Sequence, residues 1–398
     1  MARKIRIVYA AGPGNIIETF GYWSKGQDDP SQVSITFSGQ FYDVCSNLNA
    51  EGYIISSNSE KKFLKQDSFT LEHRPILLSK QSGVLYYLGQ ILYELSVVIS
   101  ALQFRADVVV GSSTSCFFVL SLLPKLGIQA IPSLHCVLWP RYGSQSKVAK
   151  LLWKLNRNFF AKDCLAILST SEDINEQVRQ VTHNQPRPIF NFLSTYRRIE
   201  FENVAAPSKD RSIFQVLFAG RIEVKKGVFD LLEIAKQFKR EGRDNIKFNV
   251  CGTGSAFKSL CKQAEEFELQ SSFILRGYCN KPEMQKMFSL SHVVIVPTKS
   301  DFVEGLNQVV IEGILANRPV ITSSVCPALT YVQEAVLEVL PDDIAAYANA
   351  ILKLYDDYDF YEMKQQNCSK LQEKFYDASQ GWGGVLESIF KKFQIDSQ

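Results

Sequence analysis

The chain has 398 residues, of which 46% are hydrophobic and 21% are charged, and its formal net charge is +3. This length predicts two or three domains, and a chain of this size buries enough surface to fold without disulfides or a structural metal. The near balance of 44 basic and 41 acidic residues excludes a protein dominated by nucleic-acid contacts. The composition likewise excludes collagen, coiled coil and disorder.

Cysteine usage and the N-terminal sequence indicate a cytoplasmic protein. The nine cysteines show neither C-x-x-C nor zinc-finger spacing, and their apolar neighbours predict small buried side chains in a reducing compartment. The N-terminal apolar run is interrupted by Arg6 and turns at Gly12–Gly14, which predicts a first strand rather than a signal peptide. Residues Val84–Phe104 are apolar enough to span a membrane, but Gln90 and Glu94 near their middle favour a buried core helix.

The predicted elements of the first half are irregularly spaced. Apolar runs predict strands at Ile5–Ala10, Val33–Phe37, Tyr53–Ser56, Val108–Gly111, Gln129–Leu134 and Cys164–Ser169, and helical periodicity predicts helices at Val84–Leu102, Ser115–Lys125 and Lys147–Phe160. The polar stretch Asn203–Asp210 is the best candidate for a linker between domains.

In the second half, strands and helices alternate regularly. Strands are predicted at Phe214–Gly220, Ile246–Gly252, Phe273–Gly277, His292–Pro297 and Pro319–Ser323, with helices at Val228–Arg240, Ser255–Phe267, Asn280–Leu290 and Gln308–Ala316. Continuous apolar strands are typical of a parallel sheet buried on both faces, so we expect a doubly wound α/β domain. The expected domains are 1–202 and 211–376, and a C-terminal helix within 377–398 is expected to return to the first domain.

Two glycine-rich turns follow predicted strands. Gly12 and Gly14 follow the first strand, and Gly252 and Gly254 follow a strand of the second half. Neither turn has the third glycine or the downstream acid of a dinucleotide-binding fingerprint, which disfavours a nicotinamide site. Two interpretations stay open, a backbone that turns tightly beside a phosphate and a simple strand–helix turn.

The most informative motif is Glu304-Gly-Leu-Asn-Gln-Val-Val-Ile-Glu312, in which seven residues separate two glutamates. It follows a strand and a polar loop, so Glu304 is expected at the carboxyl end of a parallel strand, where ligands bind. Backbone N–H groups of Gly305 and Leu306 would form an anion site at a helix start. Glu312, about two turns into that helix, can accept hydrogen bonds from ribose hydroxyls, and Glu304 can hold the hydroxyls of a transferred sugar.

A basic loop and a histidine complete the candidate site. Arg221 and Lys226 lie five positions apart on the loop after Phe214–Gly220 and can close on a diphosphate from two sides. Lys225 is expected to be a solvated surface residue. His135 ends an apolar strand, where active-site residues of α/β domains gather, although a core or capping histidine is the alternative.

In their order along the chain, these motifs resemble the second domain of family 4 GT-B glycosyltransferases, the glycosyl transferases group 1. The resemblance is close over residues 214–355. In the first domain it is weaker but collinear, through Gly12–Gly14, Asp107–Val110, Pro132–His135 and Ser169–Glu172. It implies an α/β fold of two Rossmann-like domains that face a cleft, and a hexosyltransferase that retains the donor's anomeric configuration without a metal.

The resemblance also assigns roles by position. Arg221 and Lys226 match the phosphate pair, Glu312 matches the ribose ligand, and Glu304 and His135 match residues beside the donor sugar. Residues expected to bind the nucleotide sugar as well are Gly12, Gly14, Gly252, Gly254, Tyr278, Gly305, Leu306 and Asn307. The family often has an aromatic residue and a second glycine at the positions that Leu306 and Asn307 occupy here.

The sequence therefore predicts transfer of a sugar from a nucleoside-diphosphate sugar, such as a UDP- or GDP-sugar, to a hydroxyl of a glycan, lipid-linked or small-molecule acceptor. No other cofactor is expected. The alternatives are a GT-B sugar-nucleotide epimerase and a catalytically silent protein that binds nucleotide sugars.

Residues 139–162 contain six basic residues and no acid, which predicts peripheral contact with the cytoplasmic face of a membrane. On a helix, Lys147, Lys150, Lys154 and Arg157 fall on one face and Val148, Leu151, Leu152 and Leu155 on another, with Trp153 and Phe159–Phe160 expected at the membrane interface. The alternative is an ordinary amphipathic helix that packs on its own sheet and exposes a solvated basic face.

Overall fold

The computed structural model describes residues 3–112 and 114–395. Its strands are β1 (Arg6–Ala11), β2 (Glu51–Ser56), β3 (Lys62–Gln66), β4 (Phe69–His73), β5 (Val108–Ser112), β6 (Gln129–Leu134), β7 (Ile167–Ser169), β8 (Ile189–Asn191), β9 (Phe214–Ala219), β10 (Ile246–Cys251), β11 (Phe273–Gly277), β12 (Val293–Val296), β13 (Val320–Ser323) and β14 (Val336–Val339). Its helices are α1 (Ile16–Trp23), α2 (Phe37–Asn47), α3 (Gly83–Phe104), α4 (Phe117–Leu120), α5 (Leu122–Lys125), α6 (Lys147–Asn158), α7 (Glu172–Thr182), α8 (Ile199–Glu202), α9 (Val228–Arg240), α10 (Phe257–Glu266), α11 (Lys281–Leu290), α12 (Gln308–Leu315), α13 (Leu329–Val332), α14 (Ile344–Asp356), α15 (Tyr358–Leu371), α16 (Glu373–Tyr376) and α17 (Trp382–Lys392).

The strands form two separate sheets. The first has the order β3-β4-β2-β1-β5-β6-β7-β8, in which only the β3–β4 pair is antiparallel among the described strands, and the second has the order β11-β10-β9-β12-β13-β14 and is parallel. In each sheet the strand order reverses beside the first strand of the domain, β1 or β9. Ligands of doubly wound sheets bind at the carboxyl ends of the strands at this point, so the fold itself indicates where to look for a site.

Most elements of the second domain agree with the sequence. The predicted helix Val228–Arg240 and strand Phe273–Gly277 have the predicted bounds, and the other predicted elements of this half are confirmed with small shifts at their ends. Asn280 and Glu283 form the expected capping box at the start of α11.

In the first domain three predictions need correction. The expected strand Val33–Phe37 is wrong: Thr36 accepts a hydrogen bond from the Gly39 N–H and caps α2, which begins at Phe37. The apolar alternation of these residues imitates a strand, but the local cap decides in favour of the helix. The expected helix Ser115–Lys125 is two short helices, α4 and α5. Phe159 and Phe160, expected at a membrane interface, are fully buried in the core.

The C-terminal helix α17 packs against α2 of the first domain. Four of its residues are buried there, namely Trp382, Leu386, Ile389 and Phe390. The segment before the linker behaves in the opposite way, because Leu193, Tyr196 and Phe201 lie in a core cluster of the second domain. The bounds 1–202, 211–376 and 377–398 remain a proposal.

Helix α3 differs from a core helix on its outer face. Tyr93, Val97 and Ala101 are buried as expected, but Val84 is 77% exposed and Ile99 is 54% exposed. By length and mean hydropathy (1.4), α3 would pass as a membrane-crossing helix, and 39% of its apolar stretch is buried within the protein. The expectation of a buried core helix therefore holds for one face of α3 only.

Candidate active site

The two domains enclose a cleft of about 580 Å³ that both sheets reach with the carboxyl ends of strands. The first domain contributes His135, Cys136 and Thr170 to its walls, among others, and the second contributes Arg221, Lys226, Thr298, Phe302, Glu304–Gln308 and Glu312. The backbone also crosses the cleft, because the Val137 N–H donates to the Glu304 carbonyl oxygen at 3.0 Å. Residues from both halves of the sequence therefore meet at one site.

The Glu304 side chain is the most heavily hydrogen-bonded group in the cleft. One of its oxygens, Oε2, accepts from Lys226 Nζ at 2.6 Å, from Thr298 Oγ1 at 2.9 Å and from Asn307 Nδ2 at 3.2 Å. Its other oxygen, Oε1, accepts from the Gly305 N–H at 3.1 Å. Because Glu304 is only 5% exposed, these donors balance a carboxylate that burial alone would disfavour.

The predicted anion site at the helix start is only partly as expected. The Gly305 N–H is occupied by the Glu304 carboxylate, and the Leu306 side chain is buried in the domain core. Helix α12 begins at Gln308, after Asn307 in the left-handed conformation (φ 63°), which asparagine tolerates better than most residues. Among the described residues, no side chain caps this N-terminus, and it lines the cleft. The positive end of α12 is therefore the part of the predicted site that faces a ligand.

The two basic residues differ in their surroundings. The Lys226 side chain is 14% exposed, and its Nζ lies 4.5 Å from the centre of the Phe302 ring. The Arg221 side chain is 62% exposed, and its NH1 lies 3.0 Å from Glu223 Oε1. Lys226 is followed by Gly227 with φ 73°, where a Cβ would lie 2.0 Å from the Pro297 carbonyl oxygen. Glycine is required there, and it brings the basic loop against the end of β12.

Glu312 lies one turn into α12 and not two, because the helix begins later than expected. Its carboxylate makes no hydrogen bond or ion pair with residues 3–112 or 114–395. Burial raises the pKa of Glu312 to about 7. An unpaired carboxylate that lines a polar cleft can accept hydrogen bonds from a ligand's hydroxyl groups.

His135 faces the second domain from the end of β6. Burial lowers the pKa of His135 to about 4, so the imidazole is neutral at pH 7. Its Nε2 lies 2.9 Å from Ser133 Oγ, which in turn accepts a hydrogen bond from Trp382 Nε1 at 2.9 Å. The sequence gave no sign of Ser133 or Trp382 as site residues, because 249 positions separate the two partners. His135 is thus not a simple core residue, since its ring lines the cleft.

The remaining predicted residues fall into two groups. Gly252 and Gly254 lie against the Gly220–Ile222 backbone, where a Cβ at either would lie 2.4 Å or less from a carbonyl oxygen. These two glycines and Tyr278, which is 63% exposed, do not line the cleft. Gly12 and Gly14 line a second cavity of about 350 Å³ in the first domain, which shares Phe37 and His135 with the cleft.

Residues 200–374 match the family model of the glycosyl transferases group 1. This match covers α9–α12 and every residue placed on the second-domain side of the cleft. The chain is a glycosyltransferase of the GT-B fold, with a glycosyl transferases group 1 domain.

Individual proteins similar to this transferase agree with that assignment. It is 23% identical over 304 residues to an alpha-D-kanosaminyltransferase of Streptomyces kanamyceticus, which spans 72% of the transferase and 76% of the relative. Sucrose-phosphate synthase from Thermosynechococcus elongatus has a similar structure, with a TM-score of 0.67, 13% identity and coverage of 98% and 99% of the two chains. HepE from Anabaena in complex with UDP also gives a TM-score of 0.67 at 13% identity, with coverage of 98% and 100%.

Proposed function

We propose that the transferase moves a hexosyl group from a nucleoside-diphosphate sugar to an acceptor hydroxyl and retains the anomeric configuration, as in family 4. The observation that carries this proposal is the cluster at the cleft. Lys226, Glu304 and the unpaired Glu312 lie on the second-domain side, and a neutral His135 faces them. This set offers a separate partner for each part of a nucleotide sugar.

The donor's charges and hydroxyl groups would be divided among these residues. Lys226, Arg221 and the N-terminus of α12 supply positive charge for the diphosphate, which gains negative charge as the sugar leaves. Glu312 accepts hydrogen bonds from the ribose. Glu304 and His135 hold the transferred sugar, and the ion pair between Glu304 and Lys226 links the sugar position to the phosphate position.

The acceptor would enter from the first domain. The cavity lined by Gly12 and Gly14 adjoins the cleft at His135, so an acceptor hydroxyl there can approach the donor sugar. We therefore reassign these two glycines from the donor to the acceptor side. The acceptor class stays a proposal and includes glycans, lipid-linked sugars and small molecules.

We further propose that no metal is required, because the positive charges above already face the diphosphate. Within the described residues, no group of three or more potential metal-ligating side chains is found. We also propose a cytoplasmic location, with peripheral membrane contact through residues 139–162.

A panel of UDP-, GDP- and ADP-sugars tests the proposal. UDP-sugars are the first donors to test, because the Anabaena protein with this fold binds UDP. We expect the enzyme to hydrolyse one donor slowly, with release of the nucleoside diphosphate and a sugar of the donor's anomeric configuration by NMR, and with unchanged rate in EDTA.

The other results of the panel are equally informative. An intact nucleotide sugar with one inverted carbon would identify an epimerase. Binding of a donor without turnover, also with pools of candidate acceptors, would identify a silent binding protein. Activity lost in EDTA and restored by Mg²⁺ or Mn²⁺ would contradict metal independence.

A further inference from the structure

The outer face of α3 carries a continuous apolar row. Its members recur at alternating intervals of three and four residues, which places them on one side of a helix: Leu85, Leu88, Leu92, Leu95, Ile99 and Leu102. All of them except the partly buried Leu95 are between 41% and 54% exposed. The opposite side of α3 is buried in the domain core. A helix that is apolar on both sides requires a cover for its outer side.

Neighbouring helices extend this row into a surface. Helix α4 packs between α3 and α6, and all three helices cover the same core cluster on one side of the first sheet. Helix α6 exposes its own apolar residues at the same spacing. Together with the α3 row, the exposed apolar residues Leu122, Leu126, Val148, Leu151 and Leu155 form what we call the outer apolar face.

Basic residues surround the outer apolar face. Between residues 77 and 162 the chain has nine Lys and Arg residues but only two acids, so the rest of the chain is net negative. Of the two acids, Asp107 pairs with Arg3, and Glu94 is buried with a pKa raised to about 7. The exposed charges beside the outer apolar face are therefore positive, with Lys147, Lys150 and Lys154 on α6.

We propose that the outer apolar face docks the protein on an anionic lipid surface, with α3 lying in the plane of the membrane and its apolar row inserted. Apolar residues framed by lysines fit the boundary between acyl chains and anionic headgroups. This placement extends the membrane contact beyond residues 139–162 and makes α3 the inserted element. It does not depend on the identity of the donor or acceptor.

Two other covers for the outer apolar face fit less well. Helix α3 cannot cross a bilayer while its inner side, with Tyr93, Val97 and Ala101, packs on the sheet. A second copy of the chain would bring the lysines of one α6 near those of the other. The positions that flank the α3 row include Gly89, Ser96 and Gln103, which supply no opposite charges to pair two helices.

The orientation also suits an enzyme that meets a lipid surface. A helix that follows a strand of a parallel sheet begins at the carboxyl end of that strand, so α3 and α6 both begin on the side of the cleft. The most exposed residue of α3, Val84, lies at this end. The segment that leads into α6 reaches the second domain through Tyr142, whose hydroxyl lies 2.6 Å from Ser324 Oγ.

Cosedimentation with vesicles tests the proposal. The vesicles are phosphatidylcholine alone and phosphatidylcholine with about one third phosphatidylglycerol, each at low and high salt. The variants are Leu88→Glu/Leu92→Glu in the apolar row and Lys150→Glu/Lys154→Glu on α6. Leu340→Glu is the control for the first, because Leu340 is 70% exposed in the second domain. Lys262→Glu, on the exposed side of α10, is the control for the second.

We expect binding to the anionic vesicles that weakens with salt, a loss of at least tenfold in partitioning for both double variants, and no change for the controls. Donor hydrolysis in lipid-free buffer should be the same in all five proteins, which separates a failure of docking from a failure of the proposed function. Vesicle binding that survives Leu88→Glu/Leu92→Glu would overturn the proposal. A lipid-free dimer that becomes monomeric in that variant, without vesicle binding by the wild type, would assign the face to a second copy of the chain.

Discussion

At the scale of single residues, the ion pair between Lys226 and Glu304 combines a structural role with a functional one. Both side chains are nearly buried, at 14% and 7% exposure, so removing the lysine leaves a carboxylate that only hydrogen bonds compensate. Breaking a buried pair from one side costs about 3–5 kcal/mol of unfolding free energy, whereas replacing both partners costs less. A double-mutant cycle can therefore separate the role of Lys226 in stability from its role in binding.

We predict that Lys226→Ala lowers both the free energy of unfolding and the affinity for the nucleoside diphosphate. Adding Glu304→Gln should restore much of the stability but none of the affinity, and kcat/KM of Lys226→Ala should fall by about 2–5 kcal/mol of transition-state stabilisation. Denaturant unfolding and calorimetry measure the two effects. Lys225→Ala, on the same loop but 54% exposed, is the control. Affinity that recovers together with stability would limit Lys226 to a structural role.

Glu312 gives a second prediction, because its pKa of about 7 makes its charge sensitive to pH. Ribose hydroxyls donate to the ionised carboxylate, so binding favours loss of its proton. The affinity for UDP should therefore rise as the pH increases from about 6 to about 8, by up to about tenfold, since one pKa unit corresponds to about 1.4 kcal/mol.

Variants of the two glutamates test this division of roles by calorimetry. Glu312→Gln should weaken UDP binding and remove the pH dependence that is not due to the diphosphate's own titration. Glu304→Gln should bind UDP as the wild type does and turn over more slowly. Equal losses of affinity in both variants would show that the assignment of ribose to Glu312 and of sugar to Glu304 is wrong.

At the scale of elements, the end of β6 is built jointly with α17. Trp382 Nε1 can only donate, so it occupies an acceptor position of the Ser133 hydroxyl, whose hydrogen is then available to His135 Nε2. The imidazole proton is then expected on Nδ1. Ser133 is a positioning residue in this arrangement, since it acts on the ligand only through His135.

We predict that Ser133→Ala costs about 1–3 kcal/mol of stability, because a buried Trp382 N–H loses its acceptor. It should also lower kcat with little change in the donor KM, and alter the nitrogen chemical shifts of His135. Ser169→Ala, in the neighbouring strand β7 and equally buried, is the control for a loss of stability alone. A Ser133 variant with wild-type kcat and His135 shifts would leave this residue a purely structural role.

The sequence predicted the second domain better than the first for a physical reason. Strands such as Val293–Val296 are buried on both faces, so they are continuous apolar runs that stand out. The edge strand Lys62–Gln66 is mostly exposed and polar, and α7 buries few apolar residues, so neither gave a clear period. Motif order placed Lys226, Glu304 and Glu312 in one cleft, whereas the link from Trp382 to Ser133 arises only from the tertiary fold.

At the scale of the whole molecule, the chain crosses between domains twice, so the first domain is completed by the last helix. Trp382, Leu386 and Ile389 are fully buried against the first domain, where Trp382 lies 4.8 Å from the Tyr9 ring. Their loss removes apolar contacts from a core that is far from the linker in sequence. The second domain has its own core clusters and keeps its contacts.

We therefore predict that a chain ending at residue 376 loses stability in its first domain only. Hydrogen exchange should accelerate in β1, β2 and α2, while β9 and β10 keep their protection, because local stability follows the contacts of each cooperative unit. Leu386→Ala/Ile389→Ala in the full chain should give a weaker form of the same pattern, at about 2–5 kcal/mol per buried side chain. Faster exchange spread evenly over both sheets would mean that the two domains unfold as one unit, and that α17 stabilises the molecule as a whole.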